Sequence, residues 1–212
     1  MFYIHLEKNN KAIKEICPMK IILASASPRR KEILTCLGRD FTVLSAEADE
    51  TCSLSDPAAY ATELSRRKAL AVAEKLRREG RETGDTLIIA ADTVVAANGE
   101  ILGKPRDRQD AYRMLSSISG KDHRVITGVC LIYGDKIASD YCDTAVSVAQ
   151  IPEEEIWKYV QTGDCFDKAG AYGIQGQFSK WVIGIKGCYF NVVGLPTHTL
   201  SKLFYEMTGE YI

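Results

Sequence analysis

Ile21-Ile22-Leu23-Ala24-Ser25-Ala26-Ser27-Pro28-Arg29-Arg30-Lys31-Glu32-Ile33-Leu34 runs from a short apolar strand pattern, through small hydroxyl residues, into a helix start. Ser27-Pro28 marks the boundary. Ser is a favoured N-cap, and Pro suits the first helical position, where its missing N–H would have no intrahelical partner. Arg29, Arg30 and Lys31 then fall in the first turn, where the dipole and the free N–H groups already present positive charge. Three cations at that end are either solvated surface charges or one half of an anion site. Helix N-termini bind phosphate, and Arg adds paired donors that match its oxygens. The stretch lacks the glycines of a Walker loop or a dinucleotide fingerprint.

The rest of the chain sets that strand–turn–helix in a soluble α/β frame. Its 212 residues are 46% hydrophobic and carry a net charge of −1, enough to build one substantial core. The charge balance argues against a nucleic-acid partner, which usually needs a basic excess, so any anion site is local. Seven scattered cysteines without a C-x-x-C pair argue against a disulfide framework or a zinc site, and fit a reducing cytoplasm. No apolar run approaches the roughly 20 residues that span a membrane. Residues 1–18 read as a polar extension outside the fold, with Met19 as a candidate start and residues 19–212 as a single two-lobed domain.

Along that domain, Lys20 to Ala24 reads as a buried strand, Pro28 to Leu37 as a helix, and Phe41 to Ser45 as a strand leading into the acidic loop Glu47-Ala48-Asp49-Glu50. Asp56-Pro57 should cap a long helix with Ala61, Leu64, Ala69, Val72, Ala73 and Leu76 at helical spacing. Leu87 to Ala97 is an almost wholly apolar strand, and Asn98-Gly99 should return Ile101 to Pro105 beside it. Asp107 to Ile118 reads as a helix, Arg124 to Tyr133 and Lys136 to Ala149 as long strands around Gly134-Asp135, and Pro152 as the opening of another helix. Trp181 to Ile185 and Tyr189 to Val193 look like short strands before a final helix at Pro196-Thr197. This order implies a mixed, twisted sheet with helices around it.

Asp92 is the sharpest chemical signal. A carboxylate inside an apolar strand is costly unless it pairs or meets a cation, and the choice between a structural role and a catalytic one stays open here. Lys104 should return near it across the hairpin, to neutralise phosphate or pair with Asp92, or else to remain a surface lysine. Glu50 and Asp49 offer further carboxylates. Two carboxylates from separate segments are a usual minimum for holding Mg²⁺ over a nucleotide's phosphates. In Asp167 to Gly176, three glycines would let backbone approach a ligand, and the amide of Gln175 presents a donor and an acceptor to a base edge. His5, His123 and His198 lie in no metal-like spacing.

Taken together, Ala24 to Arg30, Ala90 to Val95, Leu102 to Pro105, Leu115 to Gly120, Thr127 to Val129, Asp167 to Gly176 and Asn191 to Pro196 resemble the Maf family of nucleoside triphosphate pyrophosphatases, from Met19 onward. The late Asp-Lys-Ala-Gly-Ala-Tyr-Gly-Ile-Gln run is similar to the branch acting on dTTP and UTP. The resemblance implies a fold like that of inosine triphosphate pyrophosphatases, two lobes around a cleft. It implies house-cleaning hydrolysis of a nucleotide to its monophosphate and pyrophosphate, with Mg²⁺ or Mn²⁺ as cofactor. It also implies Asp92 as proton acceptor or metal ligand with Glu50, and Arg29, Thr93 and Gln175 as specificity positions. Ser27, Arg30, Lys68 and Lys104 would line the phosphate site. The family's link to septum formation leaves a nucleotide-sensing binder as the alternative, and family resemblance alone suggests a homodimer.

Overall fold

A computed structural model describes residues 19–81 and 84–212; the extension expected over residues 1–18 lies outside the described residues. The described residues form a seven-stranded mixed sheet flanked by helices. Strand β1 (Lys20–Leu23) lies parallel to the two-residue β2 (Thr42–Val43) on one side and to the start of β3 (Thr86–Ala97) on the other. The hairpin turns at Asn98-Gly99 and returns as β4 (Glu100–Leu102), pairing Val95 with Leu102. Strand β5 (Asp122–Tyr133) runs antiparallel along almost all of β3, and β6 (Lys136–Val148) and β7 (Val182–Lys186) complete the sheet on that side.

The sequence of β3 explains its place. Successive side chains of a strand face opposite sides of the sheet. Leu87, Ile89 and Ala91 enter one core, packed against Ile33 and Leu34 of α1 (Pro28–Cys36) and Leu200, Leu203 and Phe204 of α6 (Thr197–Thr208). Ile88 and Ala90 enter a second core against Ala69, Val72, Ala73 and Leu76 of α2 (Pro57–Arg78). At the far end, Val95 and Ala97 join a third core with α3 (Arg108–Ile118), α4 (Glu153–Thr162) and Phe178. The two ends of one strand therefore belong to different hydrophobic cores.

Helix α2 forms as its periodicity predicts, with the Asp56 carboxylate accepting from Ala59 N–H at 2.8 Å. Its close seat on the sheet depends on Gly128 in β5, where a Cβ would overlap the Ala61 carbonyl and the Thr62 nitrogen. Two expectations change. Ser27 occupies the N-cap position of α1 but makes no side-chain cap; instead Ser25 Oγ accepts from the Ser27 N–H at 3.2 Å. Tyr189 to Val193, expected as a strand, is the short helix α5 (Tyr189–Val193). Its Tyr, Phe and Val residues favour strands, but that preference yields to context. The buried Asn191 amide donates to the Val125 carbonyl at 2.8 Å and to Thr144 Oγ1 at 2.9 Å, tying the segment down as a helical turn.

Candidate functional site

Strand β1 ends at Leu23, opposite Ile89, and β4 begins pairing only at Val95. Between them the outer edge of β3 carries no partner strand among the described residues, and Asp92 and Thr93 on this stretch line a cleft. Ligands in open α/β sheets gather just beyond the carboxyl ends of parallel strands, and this notch is such a place. It is the floor of a cleft of about 640 Å³. Ser27, Arg29, Arg30, Glu50, Lys68, Asp92, Thr93, Lys104 and Gln175 all line it. The structure thus gathers these nine residues, from six separate segments, into one cavity, whereas Lys31 and Asp49, also singled out by the sequence, do not line it.

Strand alternation divides the notch into two halves. Asp92 points to the α2 side, where Lys68 Nζ meets Asp92 Oδ1 at 2.5 Å and Glu50 Oε1 at 2.9 Å. The ammonium bridges the two carboxylates and holds the Glu50 carboxyl below its ordinary value, chiefly through this hydrogen bond. Asp49 faces away, accepting from Thr51 N–H at 2.8 Å and lying 3.6 Å from Arg67. Lys104, offered by sequence as the partner of Asp92, lines the cleft, while Lys68 makes the ion pair.

Thr93 points to the α1 side. There Arg30 donates through Nη2 to Thr93 Oγ1 at 3.1 Å, through Nη1 to Ser25 Oγ at 3.2 Å, and through Nε to the Gly194 carbonyl at 2.8 Å. Burial lowers the Arg30 pKa and the Asp92 carboxylate partly offsets this; a guanidinium remains a cation throughout. Arg29 projects across the cleft mouth and donates to Asp167 Oδ2 at 3.1 Å, a residue of the loop that carries Gln175.

That loop, Gly163 to Gly176, is ordered by its own charges. Lys168 Nζ donates to Asp164 Oδ1 at 2.9 Å and to Asp167 Oδ1 at 2.7 Å, and Tyr159 donates to Asp164 at 2.8 Å. Gly170, at φ 67°, donates its N–H to the Gly103 carbonyl at 3.0 Å and sits where a Cβ would come within 2.8 Å of Val95. The loop is thereby fastened beside Lys104. Burial pushes the Tyr172 hydroxyl up, and that hydroxyl lies 2.6 Å from His123 Nε2.

Tyr60, Leu64, Val125, Val192 and Val193 also line the cleft, and sequence reasoning gave them no role there. Their common signal is weak, since each reads as an ordinary core position. Ser25 was legible only as a small turn residue, yet it anchors Arg30. The arrangement offers cations and free backbone on one side, paired carboxylate oxygens on the other, and an amide with apolar walls beyond. It suits a polyanion attached to a planar ring.

A family model described as Maf-like protein matches residues 20–207. A dTTP/UTP pyrophosphatase of Thermococcus kodakarensis is 45% identical over 183 residues, covering 86% of this chain and 94% of the relative. One of Agathobacter rectalis is 46% identical over 199 residues, covering 89% and 96%, and one of Clostridium perfringens is 44% identical over 196 residues, covering 90% and 99%. The Staphylococcus aureus Ham1 protein gives a looser likeness, with a TM-score of 0.47 at 14% identity over 77% of this chain and 80% of that one. Matched by the family model over all but its ends, and by these relatives over most of their length, the chain belongs to the Maf family.

Proposed function

We propose that the chain is a nucleoside triphosphate pyrophosphatase that hydrolyses dTTP and UTP, with water, to the nucleoside monophosphate and pyrophosphate. The observation that carries this reading is the division of the notch. A fixed Arg30 and the start of α1 lie on one side of β3, and a carboxylate pair lies on the other, so a triphosphate between them meets both cations and an acid–base group. The identity of 44–46% to dTTP/UTP pyrophosphatases supports the substrate class.

In this reading Arg30, Lys104, Ser27 and the free N–H groups of α1 hold the phosphates, and their charge offsets the negative charge that grows on the departing pyrophosphate. Asp92 accepts the proton of the attacking water, and Lys68 keeps its carboxylate in place. Gln175 presents its amide to the pyrimidine edge, with Thr93 and Arg29 beside the substrate. Water adds its oxygen to a phosphorus, the bond between the α- and β-phosphates breaks, and the leaving group departs as pyrophosphate.

The donor set fits a hard divalent cation. Glu50 and Asp92 supply carboxylate oxygens on the two flanks of Lys68, and no group of three or more His, Cys, Asp and Glu side chains suited to a metal occurs among the described residues. Two carboxylates completed by phosphate oxygens and water are the usual setting for Mg²⁺ or Mn²⁺, which draws charge from the phosphates and acidifies water. Cys36, Cys52, Cys130, Cys142, Cys165 and Cys188 are free thiols, which supports a reducing cytoplasm as the compartment of this reaction.

The test is a panel of purine and pyrimidine triphosphates with Mg²⁺ or Mn²⁺, scoring pyrophosphate against orthophosphate. Pyrophosphate from dTTP and UTP is the expected result. Preference for purines, release of orthophosphate, or tight binding without turnover would overturn it, the last in favour of a nucleotide sensor.

A further inference from the structure

Thr127 lies in β5, paired directly across from Thr93, is fully buried and does not line the cleft. Its hydroxyl nevertheless stands one step from the site. Thr127 Oγ1 donates to the Asn191 carbonyl at 2.9 Å and lies 2.9 Å from Thr93 Oγ1. A hydroxyl has a single proton, and a carbonyl only accepts. The proton of Thr127 is therefore committed to Asn191, so Thr127 must accept from Thr93. Thr93 in turn spends its one proton inward and accepts from Arg30 Nη2 at 3.1 Å. The direction of every bond from Arg30 through Thr93 and Thr127 to Asn191 is fixed by the carbonyl at its end.

Two consequences follow for the cleft. Thr93 has no proton to offer a substrate, so its hydroxyl can act on one through Arg30. Arg30 has five N–H groups, and its bonds to Gly194, Ser25 and Thr93 leave one on each terminal nitrogen for phosphate. The segment that fixes the far end of this relay also fixes the near one: Asn191 and Gly194 supply two of its carbonyls. The Asn191 side chain anchors that segment to β5 and β6 through Val125 and Thr144.

We propose that Thr127 is a positioning residue for the proposed hydrolysis, orienting the Thr93 hydroxyl and through it the Arg30 guanidinium toward the substrate's phosphates. Without its hydroxyl, Thr93 is released to rotate and donate elsewhere, and Arg30 Nη2 loses the acceptor that holds its plane. The inference rests on the reading of Arg30 as a phosphate ligand.

The test is a double-mutant cycle with Thr127→Val, Thr93→Val and the pair together, plus Thr127→Ser as the conservative control. Each protein is measured for kcat and KM with dTTP, for pyrophosphate affinity by titration calorimetry, and for Tm. Thr127→Val should weaken pyrophosphate binding and kcat/KM by roughly 10-fold, and Thr127→Ser should stay within about 2-fold of the parent. In the Thr93→Val background, Thr127→Val should change either quantity by less than about 2-fold, while its Tm loss persists. A purely structural role would instead lower both quantities by the same factor in both backgrounds, and that result overturns the proposal, as does a parent-like Thr127→Val. Should Thr127→Val fail to fold, Thr127→Cys, with a weak donor of similar size, carries the same comparison. Pyrophosphate binding separates the two levels. A parent chain that binds pyrophosphate with the coupling intact but does not hydrolyse dTTP refutes the proposed activity alone, whereas turnover without coupling refutes the relay alone.

Discussion

Replacing Lys68 by Met keeps the length of the side chain on α2 and removes the ammonium that bridges Asp92 and Glu50. Removing one partner of a fully buried ion pair costs about 3–5 kcal/mol, and an exposed pair contributes only about 0–1 kcal/mol. The Asp92 side chain is 11% exposed and that of Lys68 21%, whereas Glu50 is 62% exposed. The Asp92 contact thus lies between the two limits, at roughly 2 kcal/mol, and the screened Glu50 contact adds less than about 1 kcal/mol. A domain of this size loses about 2–4 °C of Tm per kcal/mol, so Lys68→Met should melt about 5–10 °C lower near pH 7. The pH dependence gives a second reading. The Glu50 carboxyl is held below its ordinary value, chiefly by Lys68. Its contribution is therefore present above the unfolded carboxylate pKa and lost as pH falls through the lower folded value. Lys68→Met lacks that contribution, so its Tm should fall less steeply than the parent's between about pH 5 and pH 3. Circular dichroism melts of both proteins across that range decide the matter. A Tm within about 1 °C of the parent at pH 7, or an unchanged acid slope, would refute a bridging role for Lys68.

Burial holds His123 at a pKa of about 4, so the folded chain leaves it neutral where the unfolded chain protonates it. Stability should therefore drop by about 3 kcal/mol as pH falls from 6.5 to 4. Urea unfolding of His123→Gln should lack this component, and an unaltered pH profile would contradict it. Gly128→Ala places a methyl group against the backbone of Ala61 and Thr62 and must lift α2, at a cost of roughly 1–3 kcal/mol. Turnover of dTTP should fall with it because Lys68 rides on that helix, and a parent-like Tm and kcat would show that the contact relaxes freely.

The parts of the fold that were legible in sequence are those set by local period and turn chemistry. The continuous apolar run of β3, the Asn98-Gly99 hairpin and the Asp56-capped α2 all follow from residues close together in the chain. Tyr189 to Val193 misleads because what makes it helical is the bonding of Asn191 to Val125 and Thr144, 66 and 47 residues away. The same limit applies within the site. Asp92 stands out as a carboxylate in an apolar strand, but its partner is Lys68, whose approach depends on how closely Gly128 lets α2 lie on the sheet. The hairpin made Lys104 the nearer choice by sequence. The anchoring roles of Ser25 and Thr127 are invisible for a related reason, since a small hydroxyl residue carries no pattern until the direction of its hydrogen bonds is known. The family motifs supplied what periodicity could not, the grouping of distant segments around one cleft.

In the proposed reaction, Asp92, held by Lys68 on the cleft side of β3, is the carboxylate on which hydrolysis depends. Pyrophosphate release from dTTP by the parent chain and by Asp92→Asn, at saturating Mg²⁺ and with folding checked by Tm, tests it most directly. Steady release by the parent and a loss of at least about 10²-fold in kcat for Asp92→Asn are the expected results. Near-parental turnover by a folded Asp92→Asn would contradict it.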